Sequence, residues 1–423
     1  MNLARQLEQY LPPQLLRLVK DISGQAASQG QGVYLVGGIV RDLLLGYPNF
    51  DLDLVVEGDA VKLAQQVAET GQTKLLAHHR FGTAKLRYES FSLDLATARK
   101  ETYAKPGALP TVTPGTIEDD LLRRDFSINA MAISLAAQDY GELVDPHRGK
   151  DDLEHRLIRI LHPGSFSDDA TRILRAARYE QRLGFEFEAQ TAELLKRDAS
   201  MLDTISGDRI RHELELIFKE KQPELVVKRL AKLGVLPGIS PFLKGDGWIA
   251  EKFDKARRLS KPNQLPSLYF CLLIYPFSER EIEHFLAHLN MPAKLSRAMR
   301  DTLRLQASLP LLDKSSLKPS EIHYLLQQYD TLAIQANAIA SESSRVRHHL
   351  QLFLKKLRHV KTFLNGEDLK RLGICAGPEM GKVLQRLHKA RLDGEVNTRA
   401  DEEKLALSLK ALDSQADCGP SPK

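Results

Sequence analysis

LVGGIVRDLLLGYPNFDLDLVVEG, residues 35–58, is the stretch that decides the fold of this chain. Its first apolar residues form a strand-like run that ends at Gly37-Gly38, and residues 39–46 read as the opening of a helix. A second strand-like run, 50–56, then alternates around two aspartates. The pattern predicts a strand, a tight glycine turn, a helix and a second strand that carries paired carboxylates.

These paired carboxylates, Asp51 and Asp53, are the first candidate chemical site. Side chains two apart in a strand point to the same face, with Cα atoms roughly 6–7 Å apart. Two such charges repel each other unless a cation lies between them. Hard oxygen ligands suit Mg²⁺, which keeps several waters and binds substrate phosphates. A solvated strand end is the usual meaning of Asp-x-Asp alone, so the preceding segment matters.

That segment places a glycine pair directly before a helix. Backbone N–H groups at Gly38 can approach a triphosphate, and the helix dipole favours such an anion. Arg41, in the first turn, can reach the same phosphate. The alternative is an ordinary strand–helix turn with Arg41 in a surface ion pair. Gly-Gly-x-x-Arg-Asp followed shortly by Asp-x-Asp is more specific than either motif alone.

The sequence pattern changes near residue 150 from mixed strand-like and helical runs to helical spacing alone, which predicts an α+β protein. Strand-like runs occur at 83–87 and 91–95, and residues 59–69 have helical spacing. After Asp151 the apolar pattern is helical almost to the end. We therefore expect a small mixed α/β head followed by a helical remainder, with a frayed tail from Asp413.

Composition excludes several classes of protein. Hydrophobic residues make up 43 % and charged residues 27 % of the 423 residues, which excludes wholesale disorder. The 60 Lys and Arg and 55 Asp and Glu leave a net charge of only +5, so a nucleic-acid surface would have to be a local patch.

Cysteine use and hydropathy indicate the compartment. Cys271, Cys375 and Cys418 lie far apart without metal-ligand spacing, so we expect reduced thiols and no disulfide-linked partner. The N-terminus has no apolar signal region, and the longest apolar run, near Cys271, is too short to span a bilayer. These features predict a cytoplasmic protein without a membrane partner.

Three motifs in order resemble the class II tRNA nucleotidyltransferase and bacterial poly(A) polymerase family. They are the stretch 35–58, RRDFSINAMA at 123–132 and DDATRILRAARYEQRLGF at 168–185. Two weaker elements, SGDRIRHELELIF at 206–218 and GEDLKRLGICAGPEMGKVLQRL at 366–387, are similar to later parts of the same family. The resemblance covers most of the chain.

The resemblance implies a polymerase-β-like nucleotidyltransferase head followed by an elongated all-helical neck, body and tail. It places the head at 1–150, the neck with a base-selecting helix at 151–220, the body at 221–340 and an RNA-binding tail at 341–423. Members of the family add nucleotides to an RNA 3′ end without a nucleic-acid template.

The resemblance also implies roles for individual residues. Asp51 and Asp53 match the metal-binding, catalytic carboxylates, for which two Mg²⁺ ions are expected. Asp125 and Asn129 are expected near the ribose. The nucleotide-binding positions implied by the resemblance are Gly38, Arg41, Arg124, Asp169, Arg172, Arg175 and Arg178.

The chemistry of phosphoryl transfer is consistent with the roles implied for the carboxylates. Two metal ions roughly 3.5–4 Å apart would activate an RNA 3′-hydroxyl and stabilise the leaving pyrophosphate. Asp94, on a strand-like run, is a candidate third carboxylate, although a simple strand-end charge explains it equally well.

The proposed base-reading residues have helical spacing. Residues three apart in a helix share a face, so Asp169 and Arg172 can form one hydrogen-bonding edge, whereas Arg178 ends opposite Asp169. An acceptor beside a planar donor suits the polar edge of cytosine or adenine. The alternative is an ordinary helix ion pair between Asp168 and Arg172.

Three further segments are candidates for substrate contact. The Pro/Gly/Thr-rich stretch 97–120, with Arg99 and Glu101, lacks periodicity, and the family resemblance implies a flexible loop that reshapes the pocket between C and A. Its presence argues against a member that adds only C. Residues 345–361 predict a basic amphipathic helix, and 377–382 a helix start able to hold a phosphate.

The resulting functional prediction is an enzyme that adds or repairs the 3′-terminal CCA of tRNA, or its terminal A, from CTP and ATP. A poly(A) polymerase acting on diverse RNA is the first alternative. A non-catalytic RNA-binding homologue is the second, and it predicts missing carboxylates or head arginines, which are present. A small-molecule nucleotidyltransferase would not need RRDFSINAM or so much helical sequence.

Overall fold

The computed structural model describes residues 1–70, 73–78 and 82–416. For Thr70, His78 and residues 412–416 it describes the backbone only. Its backbone divides into two compact units, Met1–Pro241 and Phe242–Lys423.

The first unit is organised around a mixed sheet. The strands of this unit, in chain order, are β1 (Gly32–Val36), β2 (Leu52–Glu57), β3 (Lys74–His78), β4 (Thr83–Tyr88), β5 (Phe91–Thr97), β6 (Arg99–Thr102), β7 (Thr111–Pro114), β8 (Ala132–Ser134), β9 (Leu143–Val144), β10 (Leu157–Ile158) and β11 (Glu186–Phe187). Seven of them form one sheet in the order β3-β4-β5-β2-β1-β8-β9, with β2 parallel to β5 and antiparallel to β1. Strands β6 and β7 form a separate hairpin, and β10 and β11 a short parallel pair.

Helices surround this sheet and continue beyond it. The helices of the first unit are α1 (Ala4–Tyr10), α2 (Pro13–Ala27), α3 (Gly38–Leu45), α4 (Ala60–Thr70), α5 (Ile117–Leu122), α6 (Gly149–Glu154), α7 (Ser165–Asp168), α8 (Thr171–Leu183), α9 (Ala189–Arg197), α10 (Gly207–Ile217), α11 (Pro223–Lys232) and α12 (Leu236–Ile239). Single 3-10 turns lie at Ser127–Asn129 and Ala199–Thr204.

One core cluster brings the candidate site together. Val36 of β1 and Val55 of β2 pack against Ile117 and Leu121 of α5, and against Ala130 just after it. Burial of these apolar side chains supplies the main driving force for docking α5 on the sheet. As a result, residues 123–129 lie beside the glycine turn that follows β1.

The second unit is helical throughout its described part. Its helices are α13 (Gly247–Leu259), α14 (Leu265–Leu273), α15 (Glu279–His288), α16 (Ala293–Leu312), α17 (Pro319–Leu326), α18 (Thr331–Ala340), α19 (Ser344–Lys355), α20 (Gly366–Arg371), α21 (Pro378–Leu392) and α22 (Arg399–Ala416). Single 3-10 turns lie at Pro262–Gln264 and Leu357–His359. One cluster of buried residues joins α16 to α19, and another joins α20, α21 and α22.

The predicted α+β architecture, a sheet-containing head followed by helices, is confirmed. The predicted strands at 83–87 and 91–95 and the helix at 59–69 correspond to β4, β5 and α4. The boundary between the two units falls at residue 241, inside the expected body, and the four-part division into head, neck, body and tail stays a prediction.

Several local predictions need correction. Asp51 precedes β2, because the Asn49 side chain accepts a hydrogen bond from the Asp51 N–H at 3.0 Å and forms a turn there. The stretch 97–120 is not structureless, since β6 and β7 pair from Arg99 opposite Pro114 to Thr102 opposite Thr111. Asp413 lies inside α22, and the remainder of the expected frayed tail, from residue 417, lies outside the described residues.

The structure also bears on the expected lack of a membrane span and on the expected reduced thiols. Within the described ranges, every helix is too short or too polar to cross a bilayer. The thiols of Cys271 and Cys375 are free, the former buried and the latter exposed, and Cys418 lies outside the described residues.

Candidate functional site

A cavity of about 450 Å³ opens in the first unit beside the start of α3. It collects β2, the β6–β7 hairpin, the segment after α5 and the start of α8. The predicted residues that line it are Gly38, Asp53, Arg124, Asp125, Asn129, Asp169, Arg172 and Arg175, with Arg99 and Glu101 of the hairpin. Asp51, Arg41 and Arg178 are outside this lining.

The pairing register of β2 and β5 brings two carboxylates, Asp53 and Asp94, side by side. Asp53 on β2 lies directly opposite Asp94 on the parallel strand β5, so the two side chains share a face. Lys85 on β4 contacts Asp94 at 2.9 Å. Asp51 is exposed just before the strand.

Electrostatics at Asp53 disfavour the ionised carboxylate. Desolvation by the surrounding protein is the largest cause, the charges of Asp51 and Asp94 add to it, and the Arg124 charge opposes it. Together they raise the pKa of Asp53 to about 6. A divalent cation would reverse this balance, because it favours the ionised form.

The donor set fits a hard cation. Asp53 supplies carboxylate oxygens at the cavity, and Asp94 and Asp51 add negative charge nearby. Among the described residues, no three His, Cys, Asp or Glu side chains are close enough to form a ready-made metal site. An ion here would take water and phosphate oxygens to complete its shell, which is usual for Mg²⁺.

The glycine turn requires glycine at Gly37. Its φ of +79° is left-handed, and a Cβ there would lie 2.8 Å from Nη1 of Arg124. At Gly38, by contrast, the nearest atom to a Cβ would be Nη2 of Arg41, at an ordinary 3.6 Å. Gly37 therefore lets the start of α3 lie close to Arg124, whereas the sequence had directed attention to Gly38.

Substitution of Gly37 by alanine should displace Arg124 and strain the turn. We expect a loss of about 1–2 kcal/mol in the free energy of unfolding and a weakened affinity for nucleotide. Denaturant unfolding and equilibrium binding of ATP measure the two effects. Gly38→Ala is the control for stability, and an equal loss in both variants would contradict the special role of Gly37.

Two cavity arginines share one buried carboxylate. Asp120 of α5 is fully buried, and it contacts Nη2 of Arg123 at 2.6 Å and Nη2 of Arg124 at 2.9 Å. Because α5 begins with a capping box at Thr116 and Asp119, the helix holds Asp120 in place. The sequence analysis missed Asp120, although its spacing to Arg123 and Arg124 is the ion-pair spacing of a helix.

A chain of hydrogen bonds runs from α8 to α3. Nε of Arg175 donates to Asp125 at 2.9 Å, and Nδ2 of Asn129 donates to the same carboxylate at 3.0 Å. Nη1 of Arg41 donates to Oδ1 of Asn129 at 2.7 Å. Burial alone would raise the pKa of Asp125, but the Arg175 charge and the donated hydrogen bonds hold it below its usual range.

Arg41 lies beneath the cavity and not at its surface. Its guanidinium is buried and pairs with Asp42 at 2.8 Å, in addition to Asn129. The predicted direct phosphate contact of Arg41 therefore stays a prediction.

Asp169 and Arg172 both line the cavity but are held by separate partners. Oδ1 of Asp169 accepts from the Thr171 N–H at 2.9 Å and from Arg209 at 2.7 Å. Arg172 is buried, and its two terminal nitrogens donate to Ser165 Oγ at 2.6 Å and to the Arg123 carbonyl at 2.7 Å. Each side chain is thus oriented before any ligand arrives.

The helical-face argument for this pair needs correction. Asp169 has an extended backbone, φ −143°, and precedes α8, because its carboxylate bonds to the N–H of Thr171 at the start of that helix. The alternative Asp168–Arg172 pair is not what forms, since Asp168 lies 3.7 Å from His162. The two residues meet at the cavity through this turn.

Arg178 points elsewhere, as the helical spacing predicted. Its guanidinium is buried, with Nη2 3.4 Å from Glu213 and Nη1 3.6 Å from Glu220. Its predicted contact with nucleotide has no geometric support in the cavity and stays a prediction.

Sequence reasoning overlooked several residues of the cavity. The hairpin contributes Tyr103, whose hydroxyl donates to Glu101 at 2.8 Å, and Glu101 also pairs with Arg99. Arg209 belongs to the weaker motif at 206–218, which had no assigned role. The cavity residues to which sequence reasoning gave no role of their own are Tyr103, Arg123, Tyr179 and Arg209, whereas Gly37 belongs to the predicted glycine pair, and Ala108 and Pro110 belong to the stretch 97–120.

Two family models match separate stretches of the chain. A model described as "Poly A polymerase head domain" matches residues 33–159. A second, described as "Probable RNA and SrmB- binding site of polymerase A", matches residues 184–246.

Relatives extend the similarity to nearly the whole chain. The A-adding tRNA nucleotidyltransferase of Halalkalibacterium halodurans is 35% identical over 407 residues, which cover 95% of this chain and 94% of the relative. That of Geobacter sulfurreducens is 33% identical over 422 residues, or 95% of this chain. The chain spans about half of the Geobacter relative, 48% of its length.

Two solved structures of CCA-adding enzymes share this fold. The apo form II of one is 30% identical, with a TM-score of 0.82, and the match covers 98% of this chain and 99% of that one. The Thermotoga maritima enzyme complexed with tRNA is also 30% identical, with a TM-score of 0.76 and coverage of 97% and 98%.

Proposed function

The chain belongs to the tRNA nucleotidyltransferase family, and from this premise we propose that it completes the 3′ end of tRNA by adding the terminal A from ATP. The observation that carries the proposal is one cavity in which Asp53 faces several arginines and the Asp169–Arg172 pair. The two A-adding relatives described above are 33% and 35% identical to this chain, whereas a CC-adding relative from Deinococcus radiodurans is 31% identical over 94% of this chain, so the higher identities support A over C.

Arginines supply the charge that a nucleoside triphosphate requires. Those lining the cavity are Arg99, Arg123, Arg124, Arg172, Arg175 and Arg209. Guanidinium groups bind phosphate oxygens through paired hydrogen bonds, and most of the catalysis of phosphoryl transfer is positioning and charge stabilisation. Asp120 and Asp125 hold three of these arginines in place before the nucleotide binds.

Asp53 is the residue around which divalent ions would collect, with Asp51 and Asp94 beside it. We expect Mg²⁺, in the two-ion arrangement, which when bound would activate the RNA 3′-hydroxyl and offset the charge of pyrophosphate. Asp53 itself would hold the ion, and Gly37 keeps the backbone of α3 close to Arg124.

Asp169 and Arg172 supply a fixed edge for base reading. Adenine and cytosine each present an amino donor beside a ring-nitrogen acceptor, which a carboxylate and a guanidinium can satisfy together. Guanine and uracil present other patterns on that edge. The pair therefore selects A and C over G and U, but does not by itself separate A from C.

Addition of the whole CCA is the second candidate. The similar solved structures are CCA-adding enzymes, and the β6–β7 hairpin lies at the cavity as expected for a loop that reshapes it between C and A. Arg99, Glu101 and Tyr103 of this hairpin line the cavity, so its movement would change the space available to a base.

Product lengths separate these functions. The purified protein is incubated with transcripts that end before CCA, with transcripts that end in CC, and with an unrelated RNA, using ATP or CTP alone and both together. One added A on CC-ending tRNA is the expected result. Three added nucleotides on the shorter transcript would indicate CCA addition, a long ladder on unrelated RNA would indicate a poly(A) polymerase, and RNA binding without incorporation would indicate a non-catalytic homologue.

A basic groove in the second unit is a candidate contact for the tRNA body. A cavity of about 680 Å³ between α17 and α21 is lined by Lys314, Lys382, Arg386 and Lys389, beside Tyr324. Lys382 and Lys389 are exposed. On α19, by contrast, Arg345 and Arg347 donate to backbone carbonyls, so the predicted phosphate contacts of 345–361 would fall to its other basic residues.

Replacing both exposed lysines of this groove by alanine should weaken tRNA binding and reduce its dependence on salt. Removal of one lysine–phosphate pair lowers the slope of log affinity against log salt by about 1, so we expect a change of about 2. Filter binding across a salt series measures the slope. Lys261→Ala with Lys294→Ala, two exposed lysines elsewhere in the same unit, is the control. An unchanged slope would exclude the groove from tRNA binding.

A further inference from the structure

Tyr179, on α8, has an unusual set of neighbours. Four guanidinium groups surround its half-buried ring. Their central carbons lie 5.0 to 5.9 Å from the ring centroid, for Arg178, Arg41, Arg182 and Arg175. Such contacts stabilise a cation, and they do so more strongly where the groups are desolvated.

The four cations come from two elements. Arg175, Arg178 and Arg182 belong to α8 with Tyr179 itself, whereas Arg41 comes from α3. Like charges at these distances repel each other, and Arg178 and Arg182 are compensated by Glu220. The charge of Arg41 is compensated by Asp42 and that of Arg175 by Asp125, and Asn129 is hydrogen-bonded between Arg41 and Asp125.

The Tyr179 ring therefore lies next to both arginines that end the hydrogen-bonded series Arg41–Asn129–Asp125–Arg175. The guanidinium groups of Arg41 on α3 and Arg175 on α8 both lie against the Tyr179 ring. Arg41 also donates a hydrogen bond to Asn129, and Arg175 donates one to Asp125. Tyr179 and Arg175 also line the cavity. An aromatic ring is rigid, so it limits how far either guanidinium can move when the charge nearby changes.

We propose that Tyr179 is a positioning residue for the nucleoside triphosphate, because its ring holds the Arg175 guanidinium in the wall of the cavity and the Arg41 guanidinium beneath that wall. This inference rests on the proposed function, in that it assumes the cavity takes a nucleoside triphosphate. Asp169 and Arg172 are held by Arg209, Ser165 and the Arg123 carbonyl, so we expect the base-reading edge to keep its place without the Tyr179 ring.

If the ring acts on the triphosphate and not on the base, its loss should affect all polyphosphate ligands alike. Loss of the ring should weaken ATP, CTP and inorganic tripolyphosphate by the same factor, because all three share the polyphosphate. Selection of A and C over G and U should be unchanged, since that selection depends on Asp169 and Arg172.

The test compares Tyr179→Leu, which removes the ring, with Tyr179→Phe, which keeps it. Phe187→Leu is the matched control, because it removes a similar contact, Arg229 at 5.1 Å from the Phe187 ring, away from the cavity lining. Binding of ATP, CTP and tripolyphosphate is measured by titration calorimetry, with kcat, KM for ATP, KM for tRNA and Tm measured alongside.

We expect Tyr179→Leu to weaken all three ligands and to raise KM for ATP about tenfold, with kcat and KM for tRNA within about threefold of the wild type. Tyr179→Phe should stay within about threefold throughout, and Phe187→Leu should leave nucleotide affinity unchanged. Equal affinity of the Tyr179→Leu variant and wild type for tripolyphosphate would overturn the proposal. A uniform loss of kcat, tRNA affinity and Tm would do the same, because it would indicate only a structural role.

The outcome is distinguishable from failure of the proposed function. If the wild type binds ATP but extends no tRNA, the proposed function fails, and the comparison of tripolyphosphate affinities still decides the role of Tyr179. If the wild type binds neither nucleotide nor tripolyphosphate, both proposals are overturned.

Discussion

Replacement of Asp53 by asparagine is expected to abolish nucleotide transfer and, at the same time, to stabilise the metal-free protein. Loss of a metal ligand at the reacting phosphate should lower kcat by at least about a thousandfold. The fold should survive, because Asp53 is exposed at the cavity while Leu52 and Leu54 beside it carry the buried contacts of β2.

The gain in stability follows from the raised pKa of Asp53. The pKa is about 6 in the folded protein, against an ordinary value of 3.8 that we expect in the unfolded chain. The folded state therefore binds the proton more tightly, so stability falls as the pH rises from about 4 to about 6 and stays lower above that range. Asparagine removes this cost. Since Asp53 is solvent accessible, we expect a gain of only about 1 kcal/mol at neutral pH.

Thermal unfolding in EDTA and in Mg²⁺ measures the prediction. The Tm of the variant should exceed that of the wild type in EDTA above pH 6, and converge with it near pH 4. Added Mg²⁺ should raise the Tm of the wild type only. Asp203→Asn is the control, because Asp203 is an exposed aspartate outside the cavity lining. Normal turnover by the Asp53 variant would refute its role at the metal.

Substitution of Asp169 by alanine is expected to relax nucleotide choice more than it weakens triphosphate binding. The carboxylate is held by Thr171 and Arg209, so its removal takes away the acceptor for the amino group of A or C. Loss of such a hydrogen-bonding edge changes discrimination by about 1–3 kcal/mol, which corresponds to roughly 5- to 150-fold in the ratio of kcat/KM for ATP to that for GTP.

Arg172→Ala should relax nucleotide choice in the same way, but with an added cost. Because Arg172 is buried and satisfies Ser165 and the Arg123 carbonyl, its loss should also destabilise the fold by about 2–4 kcal/mol. Asp169→Ala is therefore the cleaner test, and Asp168→Ala, which affects only the contact with His162, is its control. Competition assays with all four nucleotides measure the ratio. An equal loss for all four would show that Asp169 does not read the base.

Local sequence pattern was sufficient for the parts of this protein that depend on neighbouring residues. Apolar alternation predicted β4 and β5, helical spacing predicted α4, and the glycine pair predicted the turn before α3. These features follow from local backbone preference and from the period of each element, which are properties of a few consecutive residues. The motif resemblance added the family and most of the cavity residues.

Local pattern was misleading where a side chain competes with regular structure. Asn49 and Asp169 each bond to a backbone N–H two residues along, and so Asp51 falls outside β2 and Asp169 outside α8. Helical spacing did place Arg178 on the side away from Asp169, but it could not show which partners the guanidinium would meet there.

By itself the sequence determined the α+β class, the glycine turn between β1 and α3, and most of the charged groups that meet at the cavity. Tertiary structure alone decided the register that sets Asp53 beside Asp94, the burial of Arg41, and the gathering of four arginines around Tyr179. The physical reason is distance along the chain. Strand pairing and helix docking join residues tens of positions apart, and their contacts depend on how whole apolar faces pack, which no short window of sequence contains.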